Sequence, residues 1–480
     1  MALRALYLEQ PMRYDESCSY MNTVAHGLRH ALSQYTAPNN HVFHSALVWA
    51  STKLFGGHAW AIRLPAFVAG VLLVPATYVA GRMLYGARAA LVAAALVASF
   101  AELVVFSTDA RGYTIVSLLF LLLVILAAHL KRAPSRVAWG AFAVLAALGV
   151  WTVPTALYPV GGVALWIAAS AATGDTASRP LPVVRDLALS LVTSVLLAIL
   201  LYAPVLVVGT GLRSLVANQY VRSAPPEQFW RGVRELPALL WADWTLGVPV
   251  WARALLAVGL AVGSVLHRRI ARDRVPVWAT VFLWCAALLL VVRRDAGIRI
   301  WLFLLPLAAL VAGAGLTALL APAFLRLSAR GRALASALLP VALALAVSLH
   351  AVRTAAVFDP ALGDTSTFRD APEVTRYLAS HLAPGDRVLA QIPTDGPLEY
   401  YMGRAAVPTS FLAWDTMRST TRPRLDGSER LVVVVNPHLV PQTLESVLRD
   451  LHVAPDSVAP LAPPVRFPHG ATIHLMRWRR

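Results

Sequence analysis

From residue 63 onward the chain alternates between apolar runs and short polar turns. A helix that crosses a bilayer needs roughly 20 mostly apolar residues, with about 17–25 as the working range. Runs near 63–86, 89–107, 114–130, 137–151, 154–173, 186–208, 250–267, 276–292, 300–322 and 333–352 meet that measure or approach it. They predict about ten membrane spans. The pair 137–151 and 154–173 is parted only by Trp151-Thr152-Val153-Pro154. Proline disfavours helix in the residue before it, so the pair is either one broken element or two spans with a tight turn.

After Phe358 the pattern changes to one of short, mixed segments. Glu373 to Leu382 reads as a helix, Pro384-Gly385-Asp386 as a turn, and Arg387 to Ile392 as a strand. Glu399 to Met402 is helical, Arg430 to Val435 a buried strand, Pro441 to Leu451 a helix and Ala471 to Met476 a last strand. Alternating strands and helices predict a small α/β domain. No phosphate-binding glycine loop, Cys/His metal spacing or nucleophile elbow occurs in it, so it reads as an accessory or acceptor-recognition module. The predicted domains are therefore 1–62, 63–352 and 353–480.

Composition agrees with a polytopic α-helical membrane protein. Hydrophobic residues make up 58% and charged residues 14% of the 480, against about 45–50% and about 25% in ordinary soluble chains. The net charge of +17 is not gathered into a basic domain, and no nucleic-acid partner is expected. It lies in the turns: Arg82 and Arg88; Lys131, Arg132 and Arg136; Arg179 and Arg185; Arg268, Arg269, Arg272 and Arg274; Arg326, Arg330 and Arg332. With about ten spans these clusters share one side, which the positive-inside rule makes cytoplasmic. Two cysteines, Cys18 and Cys285, form no disulfide framework.

The opposite, extracytoplasmic side receives the unusual polar groups. These are Asp15-Glu16, Pro38-Asn39-Asn40-His41, Asp109-Ala110-Arg111-Gly112-Tyr113, the 209–249 loop, Arg293 to Arg299, and the C-terminal domain. Acids at the mouth of a membrane protein are costly to hold and are functional candidates, although a solvated tail accounts for Asp15 and Glu16 equally well on position alone. The loop 209–249 carries Trp230, Trp241 and Trp244, which suits an interfacial belt helix or a cover over a substrate. The loop holding Arg293, Arg294 and Arg299 breaks the charge rule for short external loops, and an anionic ligand would offset it. His41 and His44 stand at i and i+3, a spacing that could hold a divalent metal. No third ligand stands at diagnostic spacing, so polar packing or a substrate hydrogen bond explains the pair as well. Arg63, before Pro65, has the weakest claim to a role of its own.

Taken in order, Asp15-Glu16, Pro38-Asn39-Asn40-His41, Phe55-Gly56-Gly57, Arg63-Leu64-Pro65 and Asp109-Ala110-Arg111-Gly112-Tyr113 resemble the bacterial glycosyltransferase family 39 group of GT-C transferases. That group is related to protein O-mannosyltransferases and lipid A aminoarabinose transferases. The resemblance is most specific over 14–130 and continues loosely to about 322. It implies inverting transfer of a sugar from a polyprenyl-phosphate donor to a glycan, lipid or protein acceptor outside the cytoplasmic membrane. The catalytic base it implies falls on Asp15, with Glu16 as helper. Arg111, Arg293, Arg294 and Arg299 would hold the donor phosphate, with Asp109, Tyr113, His41, Asn40 and Arg63 as further substrate contacts. The family has a helix ahead of the acidic loop, whereas Met1 to Arg13 is too short and polar to span. An upstream apolar segment is therefore expected, with an internal translation start or a truncated chain. A transporter or flippase for lipid-linked sugars is the alternative, and it predicts inverted repeats that the sequence does not display.

Overall fold

The computed structural model describes residues 1–35, 40–216, 224–293, 297–358, 367–413, 425, 428–437 and 442–479. The chain divides into two compact units, residues 1–8 with 27–363 and residues 9–26 with 364–480. The expected segment 1–62 is thus divided, and the stretch bearing Asp15 and Glu16 belongs with the C-terminal unit.

In the first unit every predicted apolar run is helical. Among the described residues six helices are long and apolar enough to cross a membrane: Ala59–Leu84, Tyr113–Leu130, Pro154–Ala172, Pro180–Val208, Leu304–Leu325 and Ala329–Arg353. A seventh candidate is the pair Ala87–Ser99 and Ala101–Ser107, bent by 62°. Three shorter apolar helices, Arg136–Thr152, Val250–Val265 and Val277–Val292, fill the remaining predicted positions. Val153 is extended, so the helices on either side of Pro154 are separate elements.

The bend falls at Phe100, where no proline or glycine announces it. A helix end in an apolar setting leaves carbonyls that must find donors. The buried Arg4 supplies them, donating to Val97 O and Ala98 O at 3.0 Å and from Nε to Ser107 Oγ at 3.0 Å. Arg63 Nη1 likewise donates to Leu8 O at 2.8 Å, so residues 1–8 are fastened to the bundle by two buried arginines. Elsewhere small residues permit close helix contact. A Cβ on Gly315 would lie 2.0 Å from Gly259 O, which brings Leu304–Leu325 onto Val250–Val265.

One end of the bundle is closed by an ionic cluster. Lys131 Nζ lies 3.1 Å from Asp175 Oδ2, 2.9 Å from Asp273 Oδ1 and 4.3 Å from the Trp166 ring centroid. Arg132 also grips both oxygens of Asp273, at 3.1 and 3.0 Å. The 209–249 stretch contains the helix Pro226–Thr245. Phe229, Val233, Leu236, Leu240, Trp241 and Trp244 pack into the bundle core, whereas Trp230, Arg231 and Arg234 are exposed. This is an amphipathic helix, as an interfacial element requires.

The second unit is an α/β layer structure. Strands β1 (Arg387–Ala390), β2 (Leu412–Ala413), β3 (Leu431–Val435), β4 (Val458–Pro460), β5 (Val465–Arg466) and β6 (Thr472–Trp478) form one sheet in the order β2-β1-β3-β6-β4, with β5 on β6. Strands β2, β1 and β3 are parallel, and β6 is antiparallel to β3. Period-two alternation sends Val388, Ala390, Val432 and Val434 into one core with the helices Ala371–His381 and Asp395–Arg404. Leu389, Leu431, Val433 and Val435 face the other core with Leu444–Asp450. The predicted helices and strands of this domain are all present, with boundaries shifted by a few residues.

Candidate functional site

Within the first unit, the end of the bundle opposite Lys131 collects several of the singled-out residues. The loop between Ala101–Ser107 and Tyr113–Leu130 carries Asp109 and Arg111, both buried. It is tightened by the Arg111 N–H donating to Asp109 O at 2.7 Å. Arg111 lies 5.7 Å from the Tyr113 ring centroid, within cation–π range.

His41 meets this loop from the start of the Val42–Phe55 helix. Its Nδ1 accepts the Gly112 N–H at 2.7 Å, and its Nε2 is 3.5 Å from Arg111 Nη2. Its ring packs edge-on against Tyr113, with centroids 4.8 Å apart at 89°. Gly112 permits this approach, since a Cβ there would lie 3.0 Å from His41 Nδ1 and 2.5 Å from Thr152 Cγ2.

Arg299 comes from the short 3-10 turn Ile298–Trp301. That turn is anchored by Trp301 against Tyr158, at 4.9 Å, and by Phe303 against Phe120, at 5.2 Å. Phe120 and Arg111 thus tie both arginine-bearing segments to the helix Tyr113–Leu130. The Pro226–Thr245 helix packs against the same turn.

The electrostatics record the convergence. His41 is held well below the usual imidazole range, first by burial and then by the charges of Arg111, His44 and Arg299. Tyr35 is pushed up, first by burial and then by Tyr113, while Arg111 opposes the shift. At neutral pH the site therefore presents two arginines, a neutral imidazole and a protonated phenol. Fixed cations beside neutral hydrogen-bonding groups suit an anionic oxygen ligand.

Other predicted contacts have different work. Asn40 Nδ2 donates to Ala31 O at 2.8 Å and Gln34 O at 2.6 Å, while Oδ1 accepts from Ser45 Oγ at 2.7 Å. It clamps the end of the Leu28–Ser33 helix to the next one. Arg63 serves the Leu8 carbonyl. Arg293 is an exposed helix cap with φ 50°. Arg294, Pro38 and Asn39 lie outside the described residues.

Asp15 and Glu16 sit in the first turn of Tyr14–Asn22, in the second unit. Glu16 is fully buried, and its Oε1 accepts the Arg13 N–H at 2.8 Å, an N-terminal capping bond. Asp15 is half-buried. Their helix is secured to the C-terminal unit by the Arg13–Thr367 bridge, by Met12 N donating to Tyr401 Oη at 3.1 Å, and by edge-on packing of Tyr20 on Tyr400. Among the described residues no group of three or more His, Cys, Asp or Glu is placed to hold a metal, so no step is assigned to one.

Sequence reasoning missed Tyr35, whose only signal is its place just before the Asn40-His41 motif. It also missed the Gly112 N–H, because a backbone donor leaves no mark in side-chain chemistry.

The sequence pattern of the dolichyl-phosphate-mannose-protein mannosyltransferase family matches residues 39–208, a range containing His41, Arg63, Asp109, Arg111 and Tyr113. No curated protein sequence matches the chain. Among solved structures, ArnT from Cupriavidus metallidurans in its apo state superposes with a TM-score of 0.59 at 14% identity, covering 99% of this chain and 96% of that one. The same protein bound to undecaprenyl phosphate gives 0.58 at 14% identity, with the same coverage. The Archaeoglobus fulgidus oligosaccharyltransferase tethered to an acceptor peptide gives 0.53 at 12% identity, covering 98% of this chain and 70% of that one. These are transferases of the GT-C type.

Proposed function

The chain has the fold of the GT-C membrane glycosyltransferases and, over residues 39–208, the sequence pattern of a mannosyltransferase family, and on that premise we propose a polyprenyl-phosphate-dependent sugar transfer outside the cytoplasmic membrane. The observation that carries this reading is the contact of His41 with Arg111 at one end of a membrane-spanning bundle, with the charge of Arg299 acting on the same imidazole. A lipid phosphate lies at the membrane surface, and arginine can grip two of its oxygens. One structural neighbour binds undecaprenyl phosphate. The basic turns, Lys131 and Arg132 among them, belong to the opposite end, and the positive-inside rule then supports an outer-side location for the arginine site.

In the proposed reaction an acceptor hydroxyl or amine attacks the anomeric carbon of the lipid-linked sugar. The bond from that carbon to the phosphate oxygen breaks, and its electron pair leaves on the phosphate. Arg111 and Arg299 stabilise the charge that develops there. Asp15 takes the acceptor proton as the new bond forms. One displacement inverts the anomeric centre without a covalent enzyme intermediate. Glu16 helps by capping the helix that presents Asp15.

Purified protein in lipid vesicles, given a radiolabelled polyprenyl-phosphate sugar and cell-envelope acceptors, should move label from lipid to acceptor. Label crossing the bilayer while still lipid-linked, with no transfer product, would support the flippase instead.

A further inference from the structure

The fold decides which nitrogen of His41 carries hydrogen. The Gly112 backbone N–H points at Nδ1 from 2.7 Å. An amide N–H can only donate, so Nδ1 holds a lone pair and the neutral ring carries its hydrogen on Nε2. Nε2 faces Arg111 Nη2 at 3.5 Å. A guanidinium has no acceptor either, so this contact is donor beside donor, which accounts for its length.

Protonating the ring would require Nδ1 to abandon Gly112. It is also opposed by burial and by Arg111, His44 and Arg299, while Tyr113 packs edge-on against the ring. Neutral imidazole with a directed Nε2–H is therefore the resident form.

We propose that His41 is a tautomer-locked, uncharged hydrogen-bond donor that acts with Arg111 as a two-point clamp on one phosphate oxygen of the lipid carrier. The inference rests on the phosphate reading above and assigns His41 a distinct part in it. Arg111 supplies charge, and His41 supplies direction without a proton to lose near neutral pH. A fixed donor at the leaving phosphate strengthens as charge develops there, so it assists departure as well as binding.

The test is undecaprenyl phosphate binding to the detergent-purified full chain, with thermal unfolding as the control for folding. Asparagine keeps an acceptor near the Nδ1 position and has nothing at Nε2. Glutamine places an amide N–H near Nε2 and abandons Gly112. We expect His41→Asn to weaken binding about tenfold or more, the usual value of a hydrogen bond to a charged group. His41→Gln should stay within about threefold of wild type, a pattern that a purely structural histidine would reverse.

His41→Asn binding like wild type, or His41→Gln falling as far as His41→Asn, overturns the clamp. Arg111→Ala separates the two claims: if it binds normally, the phosphate reading fails, and if it alone is impaired, only the clamp fails. Millimolar inorganic phosphate should not displace the lipid; displacement would make free phosphate the ligand and overturn the assignment.

A second readout is the ¹⁵N histidine spectrum, with His41 assigned by difference against His41→Gln. His41 should show the neutral Nε2–H form and shift when undecaprenyl phosphate is added. A protonated Nδ1, or an unmoved signal, would refute the proposal.

Discussion

Replacing Gly112 with alanine tests whether the site depends on close approach. The backbone there, at φ −79° and ψ 3°, is open to any residue, so conformational strain contributes nothing. The added Cβ would meet Thr152 Cγ2 at 2.5 Å and His41 Nδ1 at 3.0 Å. Relieving the first contact needs a displacement of about 1 Å, and overpacking of this kind costs about 1–3 kcal/mol. Alanine recovers about 0.4–1 kcal/mol by restricting the unfolded chain. A net loss of about 1–2 kcal/mol follows.

Thr152→Ser removes Cγ2 and leaves a hydroxyl in place of the one bonded to Leu148 O at 2.8 Å. The double variant should therefore regain most of the stability. It should not regain undecaprenyl phosphate binding, because the methyl still presses on His41 and stretches its bond to Gly112. Thermal unfolding and lipid binding of the four members of the cycle, in one detergent, separate the two effects. The reasoning fails if Gly112→Ala matches wild type in both measurements, or if Thr152→Ser restores binding together with stability.

Arg299→Ala should raise the donor KM about tenfold or more in the transfer assay, and Arg299→Lys should rescue it only partly because lysine lacks the planar fork; full rescue by lysine would reduce Arg299 to a point charge. Lys131→Met should leave the half-buried Asp175 and the buried Asp273 without their shared cation, at a cost of up to about 3 kcal/mol since Arg132 still holds Asp273. A clearly lowered unfolding temperature is expected, and an unchanged one would remove the ionic cluster as a structural lock.

The helices were legible wherever apolar length alone decides the outcome, and all the predicted runs from 63 to 352 are helical. The α/β domain was legible because strands such as Leu431–Val435, buried throughout, stand between turn signals. The break at Phe100 was not, because the apolar pattern runs through it and the group that satisfies its freed carbonyls is Arg4, about a hundred residues earlier. The union of residues 9–26 with the C-terminal unit was equally hidden, since the Arg13–Thr367 bridge joins positions that share no local signal. In the candidate site, Arg299 comes from a loop singled out by its misplaced charge and Arg111 from the Asp109-to-Tyr113 motif, whereas Arg293 of that same loop is an exposed helix cap. Asn40 and Arg63 could not be told from ligand contacts, because a buried amide or guanidinium that satisfies backbone carbonyls has the same composition as one that meets a substrate.

The central claim is that a carboxylate in the Tyr14–Asn22 helix takes the acceptor proton, and Asp15→Asn tests it most directly. The measurement is the turnover of radiolabelled polyprenyl-phosphate sugar into acceptor product, with undecaprenyl phosphate binding recorded on the same preparation. The amide keeps the shape of the side chain and removes the base, so turnover should fall about 10²–10⁴-fold while lipid binding is retained. Glu16→Gln should cost less, because glutamine can still accept the Arg13 N–H. Near-normal turnover in Asp15→Asn, in Glu16→Gln and in the double variant would contradict the carboxylate mechanism.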